Sequence, residues 1–544
     1  MKKLMKASAV ILALLFTLSA CGTPKEDTPA NTPTEAASTE QTTSPDVPDT
    51  YVSAEKITLR ALQYELENQQ MDFDNLWFFQ ELEKKTNVHI EWEPVKDGDW
   101  ITRVNLMFAA NDLADLIIRG DVNIEDYGVT QGLLVELDDY LEENMPIYYS
   151  RLNMNDAGAA IPASNGKTYW IGNLMAQNVN HDGNHYINKT WLDNLGLEIP
   201  TTIDELTDVL IAFRDQDPNG NGEKDEIPFC AADLFNQVQG VYTHFANFNV
   251  PLQYFAYACI QDDQTIIFPG YMEGFRPALE WLSMCYKEGL LDMESLTQDS
   301  NAWAVKMNAG QVGYTTYLRL KNTALQPEIA EQFVSILPPA SEYGVSVPRT
   351  MEVPAKGACL TIANKHIPET LRWLDAQMET ETMMVSYNGP IQPGGPIDPT
   401  IKINDEGKYE ILYIPENDGL YKYVPVYHSQ FFAPGDYYFG IYEMPPHRVE
   451  RFETSKTYEE ANVLEKNSYY YLYRIIKPSV EDGVEIMRLY DEIHRFMRES
   501  IATFIRDGVT DSSWQTFQDA AKSIGVDRYI ELYQKAYDNY LALQ

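Results

Sequence analysis

The sequence predicts an α/β protein of two or more domains, each built on a mostly parallel sheet flanked by helices. Three observations carry this. Residues 57–118 read as strand, helix, strand, helix, strand. A later stretch, 185–318, repeats the mixed pattern. The chain has 544 residues, 44% of them apolar, and beyond roughly 250–300 residues a single core gives way to several.

The elements follow in order. Ile57, Leu59 and Ala61 alternate with Thr58 and Arg60, the period of a strand. A helix is expected from about Asp74 through Leu76, Phe79, Leu82 and Glu83. Val88, Ile90 and Trp92 alternate as a second strand, and a second helix covers Trp100 to Ala110. Leu113 to Ile118 is nearly continuous in apolar residues, as in a strand covered on both faces. Such an alternation implies right-handed crossovers and parallel pairing. Ligands on parallel sheets lie beyond the carboxyl ends of the strands. That puts Gln63-Tyr64-Glu65 and Arg119-Gly120-Asp121 beside any binding cleft of the first domain.

Gly166 to Ile171 reads as a turn entering a strand. Gly357 to Ala363 is another buried-type strand, followed by a helix from about Pro368 to Met378. Residues 387–445 are rich in Pro, Gly and Tyr and read as an irregular insertion, and the last hundred residues are helical. The expected division is a first lobe over 55–175, with 350–386 returning to it, and a second lobe over 176–349. Residues 387–544 are expected to be an insertion and C-terminal helices, mostly of the second lobe.

The N-terminus carries an address. Lys2, Lys3 and Lys6 precede an apolar run from Ala7 to Leu18, too short for a comfortable membrane span and laid out as a secretory signal peptide over 1–20. The run ends in Leu18-Ser19-Ala20-Cys21, which resembles a bacterial lipobox. The resemblance implies diacylglyceryl transfer to Cys21, cleavage before it, and anchoring at the extracytoplasmic face of the cell membrane through lipid alone. Residues 21–54, mostly Thr, Pro, Ser, Glu, Ala and Asp, cannot bury enough surface to order themselves and read as a tether.

Formal net charge is −40. A chain this acidic repels nucleic acid, which is excluded as a partner. No later stretch is long and apolar enough for a transmembrane helix. Beyond Cys21, the cysteines Cys230, Cys259, Cys285 and Cys359 are widely spaced among apolar residues and form no metal pattern, so buried free thiols are expected.

The clearest local chemistry lies at 200–229. Thr202 and Glu205 have capping-box spacing, and Leu206, Val209, Leu210 and Phe213 form one apolar helix face. The helix runs into Asp215-Gln216-Asp217-Pro218-Asn219-Gly220-Asn221-Gly222-Glu223-Lys224-Asp225-Glu226, which fits the calcium-loop pattern D-x-[DN]-x-[DN]-G-x5-E. Ca²⁺ takes six to eight hard oxygen ligands, and alternate positions of a tight loop can aim them inward. One register begins at Asp215 and the other at Asp217; both use Asp217, Asn219 and Glu226. Ile227-Pro228-Phe229 leaves no outgoing helix, so a structural staple is expected rather than a sensor. Asp, Asn and Gly are also ordinary turn residues, which is the metal-free alternative.

Asn188-Lys189-Thr190-Trp191-Leu192-Asp193-Asn194-Leu195-Gly196, continuing through Pro200 to Leu206 and then Asp217-Pro218-Asn219-Gly220-Asn221-Gly222 and Asp225-Glu226-Ile227-Pro228, resembles extracellular solute-binding protein family 1. Within it the chain is similar to the large lipoprotein branch that includes alginate-binding proteins. Gly289-Leu290-Leu291-Asp292, Gly310-Gln311-Val312-Gly313 and the tail from Phe504 to Gly508 fit the same family. The resemblance implies a two-lobe periplasmic-binding-protein-like fold of type II, joined by a hinge. A sugar would be held between the lobes and presented to ABC importer permease subunits, without catalysis and as a monomer. It also implies calcium ligands at Asp217, Asn219, Asn221, Glu223, Asp225 and Glu226, with Glu223 contributing its backbone oxygen.

Sugar sites combine aromatic faces with a few fixed polar groups, and the chain holds 35 Tyr and 9 Trp. The candidates at strand ends and loop starts are Tyr64, Arg119, Asp121, Trp170, Tyr314, Tyr317 and Arg319, with Trp100 at a helix start; Trp191 is assigned to the core. A neutral oligosaccharide is the expected ligand. A glycan-degrading enzyme would need two carboxylates at a set distance, which composition does not exclude. Yet no nucleophile elbow, HExxH or P-loop pattern occurs, and His181 and His185 flank a turn, Asp182-Gly183-Asn184. A non-transport sensor lipoprotein would share the fold and lack a permease.

Overall fold

The structure is a computed structural model. It describes residues 53–543 apart from 68–70, 153–160, 164, 175–182, 237–239, 253–255, 318–319, 321–324, 349–354, 414–418, 426–439, 444–445, 465–477 and 479. The expected signal peptide, Cys21, most of the expected tether, His181 and Arg319 lie outside the described residues. Two compact units emerge, one within 1–176 and 352–443, the other within 177–351 and 444–544.

The first unit is built on a five-stranded sheet in the order Val88–Lys96, Ile57–Glu65, Leu116–Ile118, Ala355–Leu360, Ile171–Asn173. The first three strands are parallel, as the strand–helix alternation predicts, and the returning strand Ala355–Leu360 runs antiparallel to both its neighbours. The two crossover helices are Trp77–Thr86 and Trp100–Ala109. The first stops because Asn87 turns left-handed at φ 59° and closes back onto the Glu83 carbonyl, a position where Asn is tolerated. Side chains alternate across the sheet. Leu59, Ala61, Leu116 and Ile118 pack on one face with Phe78, Leu82 and Trp373. Leu62, Tyr64 and Ile117 pack on the other with Trp100, Val104 and Phe108.

Of residues 387–544, those from 444 to 544 fall in the second unit and the stretch 387–443 in the first. The Tyr423 carbonyl accepts from Phe78 N–H (3.0 Å), Val424 joins the core of that unit, and a short ribbon pairs Ile401–Ile403 with Tyr409–Ile411. Composition marked the stretch as irregular but carried no information about its partner.

The second unit holds a four-stranded sheet, Phe333–Ile336, Asn184–Asn188, Val312–Tyr317, Ile227–Phe229. Here the mostly parallel expectation fails in detail. Both neighbours of Asn184–Asn188 are antiparallel, and only Ile227–Phe229 runs parallel to its partner. The strand Asn184–Asn188 is slotted between two strands that come far later in the chain, which an order of elements does not disclose. The helix Phe275–Lys287 packs with the long helix Val480–Asp507 and the terminal helix Val526–Leu543 into the main core of this unit. Trp191 is in that core, as expected. Cys230, Cys259, Cys285 and Cys359 are buried free thiols, and burial pushes Cys230 and Cys359 up to about 12.

Candidate binding and metal sites

In the first unit the carboxyl ends of the parallel strands carry a cluster formed by four of the expected residues. Tyr64 ends one strand and donates its hydroxyl to Asp97 (2.8 Å); burial and that carboxylate hold its phenol above the usual range. Trp100, at the start of the following helix, meets Tyr64 edge to face at 5.5 Å. Its indole N–H donates to the carbonyl of Asp121 (2.9 Å). Gly120 passes directly beneath the indole: a Cβ there would lie 1.7 Å from Trp100 Cε2, so any side chain at 120 would expel the ring. Arg119 takes φ 65° and its N–H donates to the carbonyl of Gly357 (2.6 Å). Desolvation draws its guanidinium down to about 10.

Trp100 and Tyr64 are 2% and 5% exposed, so they brace the Arg119–Asp121 turn rather than offering open faces. Asp121 is exposed beyond them. Trp170 packs on the same core and donates its indole N–H to the Ile161 carbonyl (2.8 Å). Asp97 was not singled out from the sequence and is revealed by its bond to Tyr64; Gly120 was placed beside the cleft, but its role beneath the indole appears only from the position of Trp100.

In the second unit the expectation for Tyr314 is corrected. It is fully buried within the strand Val312–Tyr317, its hydroxyl paired with His185 Nδ1 (2.5 Å) and near His244 Nδ1 (3.5 Å). It is a core residue, because the strand runs three residues past it. Tyr317 ends the strand half-buried and stacks on Trp303 at 4.9 Å and 17°.

The loop after the helix Ile203–Asp215 is the second candidate site. The helix opens on the expected capping box: Thr202 Oγ1 accepts from Glu205 N–H (3.2 Å) and Glu205 accepts from Thr202 N–H (3.3 Å). Leu206, Val209, Leu210 and Phe213 are buried. Beyond the helix, Asp217 accepts from the N–H groups of Asn221 (3.1 Å) and Gly222 (3.0 Å). Asn219 and Asn221 donate to Asp225 Oδ1 (3.2 and 3.0 Å). Gly220 and Gly222 supply positive φ, which side chains resist. Asn194 and Gln311 brace the loop from outside, donating to the Pro218 carbonyl (2.8 Å) and Asp225 Oδ2 (3.0 Å). Neither was assigned this role from the sequence, although Gln311 sits in the Gly310–Gly313 motif.

The electrostatics are unbalanced. Asp225 is held below the usual carboxylate range by its bonds to Asn221 and Gln311. Glu226 is pushed up by burial, with Asp225 and Asp217 adding like charge. Its Oε1 is buried without a hydrogen-bond partner. Asp215, by contrast, is committed to Arg214 (2.7 and 3.0 Å). A cluster of oxygen donors with an orphaned carboxylate oxygen fits a hard divalent cation. Among the described residues, no group of three or more His, Cys, Asp or Glu alone is arranged to hold a metal, so a cation in this loop would draw on Asn and backbone oxygens as well.

A family model of bacterial extracellular solute-binding proteins matches residues 62–259. FusA of Streptococcus pneumoniae, described as a fructooligosaccharide ABC transporter substrate-binding protein, is 25% identical over 99% of both chains. Lipoprotein LipO of Bacillus subtilis is 24% identical over 57% of this chain and 62% of its own. Among solved structures, an extracellular solute-binding protein from Bifidobacterium longum subsp. infantis aligns with TM-score 0.74 at 22% identity, covering 89% of this chain and 98% of that one. FusA with kestose aligns at 0.69 and 24%, covering 90% and 100%, and an EF-hand mutant of FusA with fructo-nystose at 0.69 and 23%, with the same coverage. The alginate-binding protein AlgQ2, solved without calcium ion, aligns at 0.60 and 21%, covering 90% and 99%.

The chain is similar along its length to a substrate-binding protein of an ABC transporter, and residues 62–259 match the bacterial extracellular solute-binding model. It is a two-lobe binding protein of the class that serves ABC transporters outside the cytoplasm, and not an enzyme.

Proposed function

We propose that this protein captures a neutral oligosaccharide and delivers it to the permease subunits of an ABC importer. The observation that carries the ligand class is the end-to-end similarity to FusA, described as a fructooligosaccharide binder. The strand-end cluster of Tyr64, Trp100, Arg119 and Asp121 supports it, since a buried aromatic pair there steadies a turn with an exposed carboxylate, the kind of fixed polar group that reads sugar hydroxyls. Calcium in the 217–226 loop acts as a structural staple. Its ligands are Asp217, Asn219, Asn221, Asp225 and Glu226 with the Glu223 carbonyl. The orphaned Glu226 oxygen supports this, as does the engagement of Asp215 elsewhere. The monomer is tethered by lipid on Cys21.

Kestose is the first probe. Ligand binding only the native state raises its melting temperature, so a rise with kestose and related oligosaccharides, the sugar remaining intact, is expected; no response across a panel of neutral oligosaccharides would reject the ligand class. Cys21→Ser should move the protein from the membrane to the soluble fraction, and unchanged membrane retention would reject the anchor.

A further inference from the structure

The first unit carries a second depression suited to a small polar ligand, on the face of its sheet opposite Tyr64 and Trp100. The helix Trp77–Thr86 forms one wall, the helix Thr380–Asn388 another, and the Pro390–Gly395 loop a third, around a cavity of about 410 Å³. That lies within the roughly 300–1,000 Å³ of small-molecule sites. Every residue lining it belongs to the first unit.

Trp77 is half-buried, resting on the core beneath this face of the sheet while lining the cavity. Gly395 lies beside it: a Cβ there would be in ordinary contact with the indole at 3.6 Å and tight only against Pro390 at 3.2 Å. Three of the polar groups lining the cavity are unspent, whereas Glu81 is paired with Lys84 and Thr382 donates to Glu379. The Trp77 indole N–H, the Gln392 amide and the Glu381 carboxylate form no hydrogen bond or ion pair among the described residues. By contrast Trp100, Trp170, Trp281 and Trp303 all donate their indole N–H to protein oxygens. Lys85, on the rim, is paired with Glu379.

We propose that this cavity is a second carbohydrate-binding site, taking one or two sugar units of a longer glycan against the face of Trp77. A sugar ring offers an apolar C–H face and hydroxyls that both donate and accept. One aromatic face flanked by a donor, an amide and a carboxylate answers that pattern. An organic cation is favoured by ring faces that enclose it, whereas here Phe78 is buried and the Lys85 ammonium stands at the rim. The inference rests on the reading of the protein as a carbohydrate binder.

The test is affinity electrophoresis of the full-length protein through gels containing inulin, amylopectin, xyloglucan or galactomannan. Kestose thermal shift is recorded on the same preparations, with choline chloride as a cationic control. At least one polysaccharide should retard the parent. Trp77→Ala and, independently, Gln392→Ala on the exposed loop should weaken that retardation about tenfold or more, with the kestose shift intact. Retardation unchanged in both variants, or a site that answers to choline and to no glycan, would overturn the second site while leaving the carbohydrate reading standing. A parent that responds to neither polysaccharide nor oligosaccharide would overturn both.

Discussion

Replacing Glu226 by Gln should lower stability in calcium while leaving the chelated protein unchanged or slightly more stable. The Glu226 Oε1 atom is buried and unpaired, and Asp217 and Asp225 add like charge. An unsatisfied buried polar group costs about 1–3 kcal/mol, more when charged. Gln removes the charge but keeps the shape, so the chelated protein should be unchanged or slightly more stable. With calcium at a hundredfold excess over its dissociation constant, the parent gains about 2.7 kcal/mol. If losing one carboxylate ligand weakens binding about a hundredfold, the variant at the same calcium gains only about 0.4 kcal/mol. The deficit, roughly 2.3 kcal/mol, corresponds to a melting-temperature difference of about 5–9 °C, taking ~2–4 °C per kcal/mol for a large domain. Differential scanning calorimetry in calcium and in chelator reads both arms. A parent whose melting does not respond to chelation would refute the metal site. A variant that loses the same number of degrees in both conditions would show Glu226 to be a packing residue.

The remaining predictions concern packing and pH. Gly120→Ala places a Cβ 1.7 Å from the Trp100 ring; it should cost on the order of 1–3 kcal/mol by overpacking and weaken oligosaccharide binding, measured by urea unfolding and titration calorimetry, whereas parent-like values in both would remove Trp100 from the site. His244 is fully buried, and burial followed by His185 holds its imidazole well below its ordinary range. The unfolded chain therefore takes up the proton first, so this contribution to stability is present above the ordinary histidine range and lost as pH falls below it. Melting at pH 7.5 and 5.5 should drop more for the parent than for His244→Gln, and equal drops would place the acid sensitivity elsewhere.

What could be read from the residues divides by the distance over which the determining interactions act. The helix Ile203–Asp215 was legible to its cap because Thr202, Glu205 and the apolar stripe lie within one helix, and the loop after it was legible because its oxygen donors are neighbours in sequence. The Arg119–Asp121 turn was found one step less directly, from the rule that parallel strands present ligands at their carboxyl ends. Tyr314 was misread because its partner, His185, lies 129 residues away on an antiparallel strand, so nothing local marked the strand as continuing inward past it. The same limit hid the role of Gln311, whose partner Asp225 lies 86 residues earlier, and the attachment of residues 387–443 through Tyr423 to Phe78. Each miss is a pairing between segments that are individually well formed. Local propensity and burial period are satisfied equally by several such pairings, and the choice among them is made by side-chain complementarity across the sheet and core. The charge imbalance at Glu226 follows the same rule: the donor types of its loop are visible in sequence, whereas a buried oxygen lacking a partner is a property of the folded chain alone.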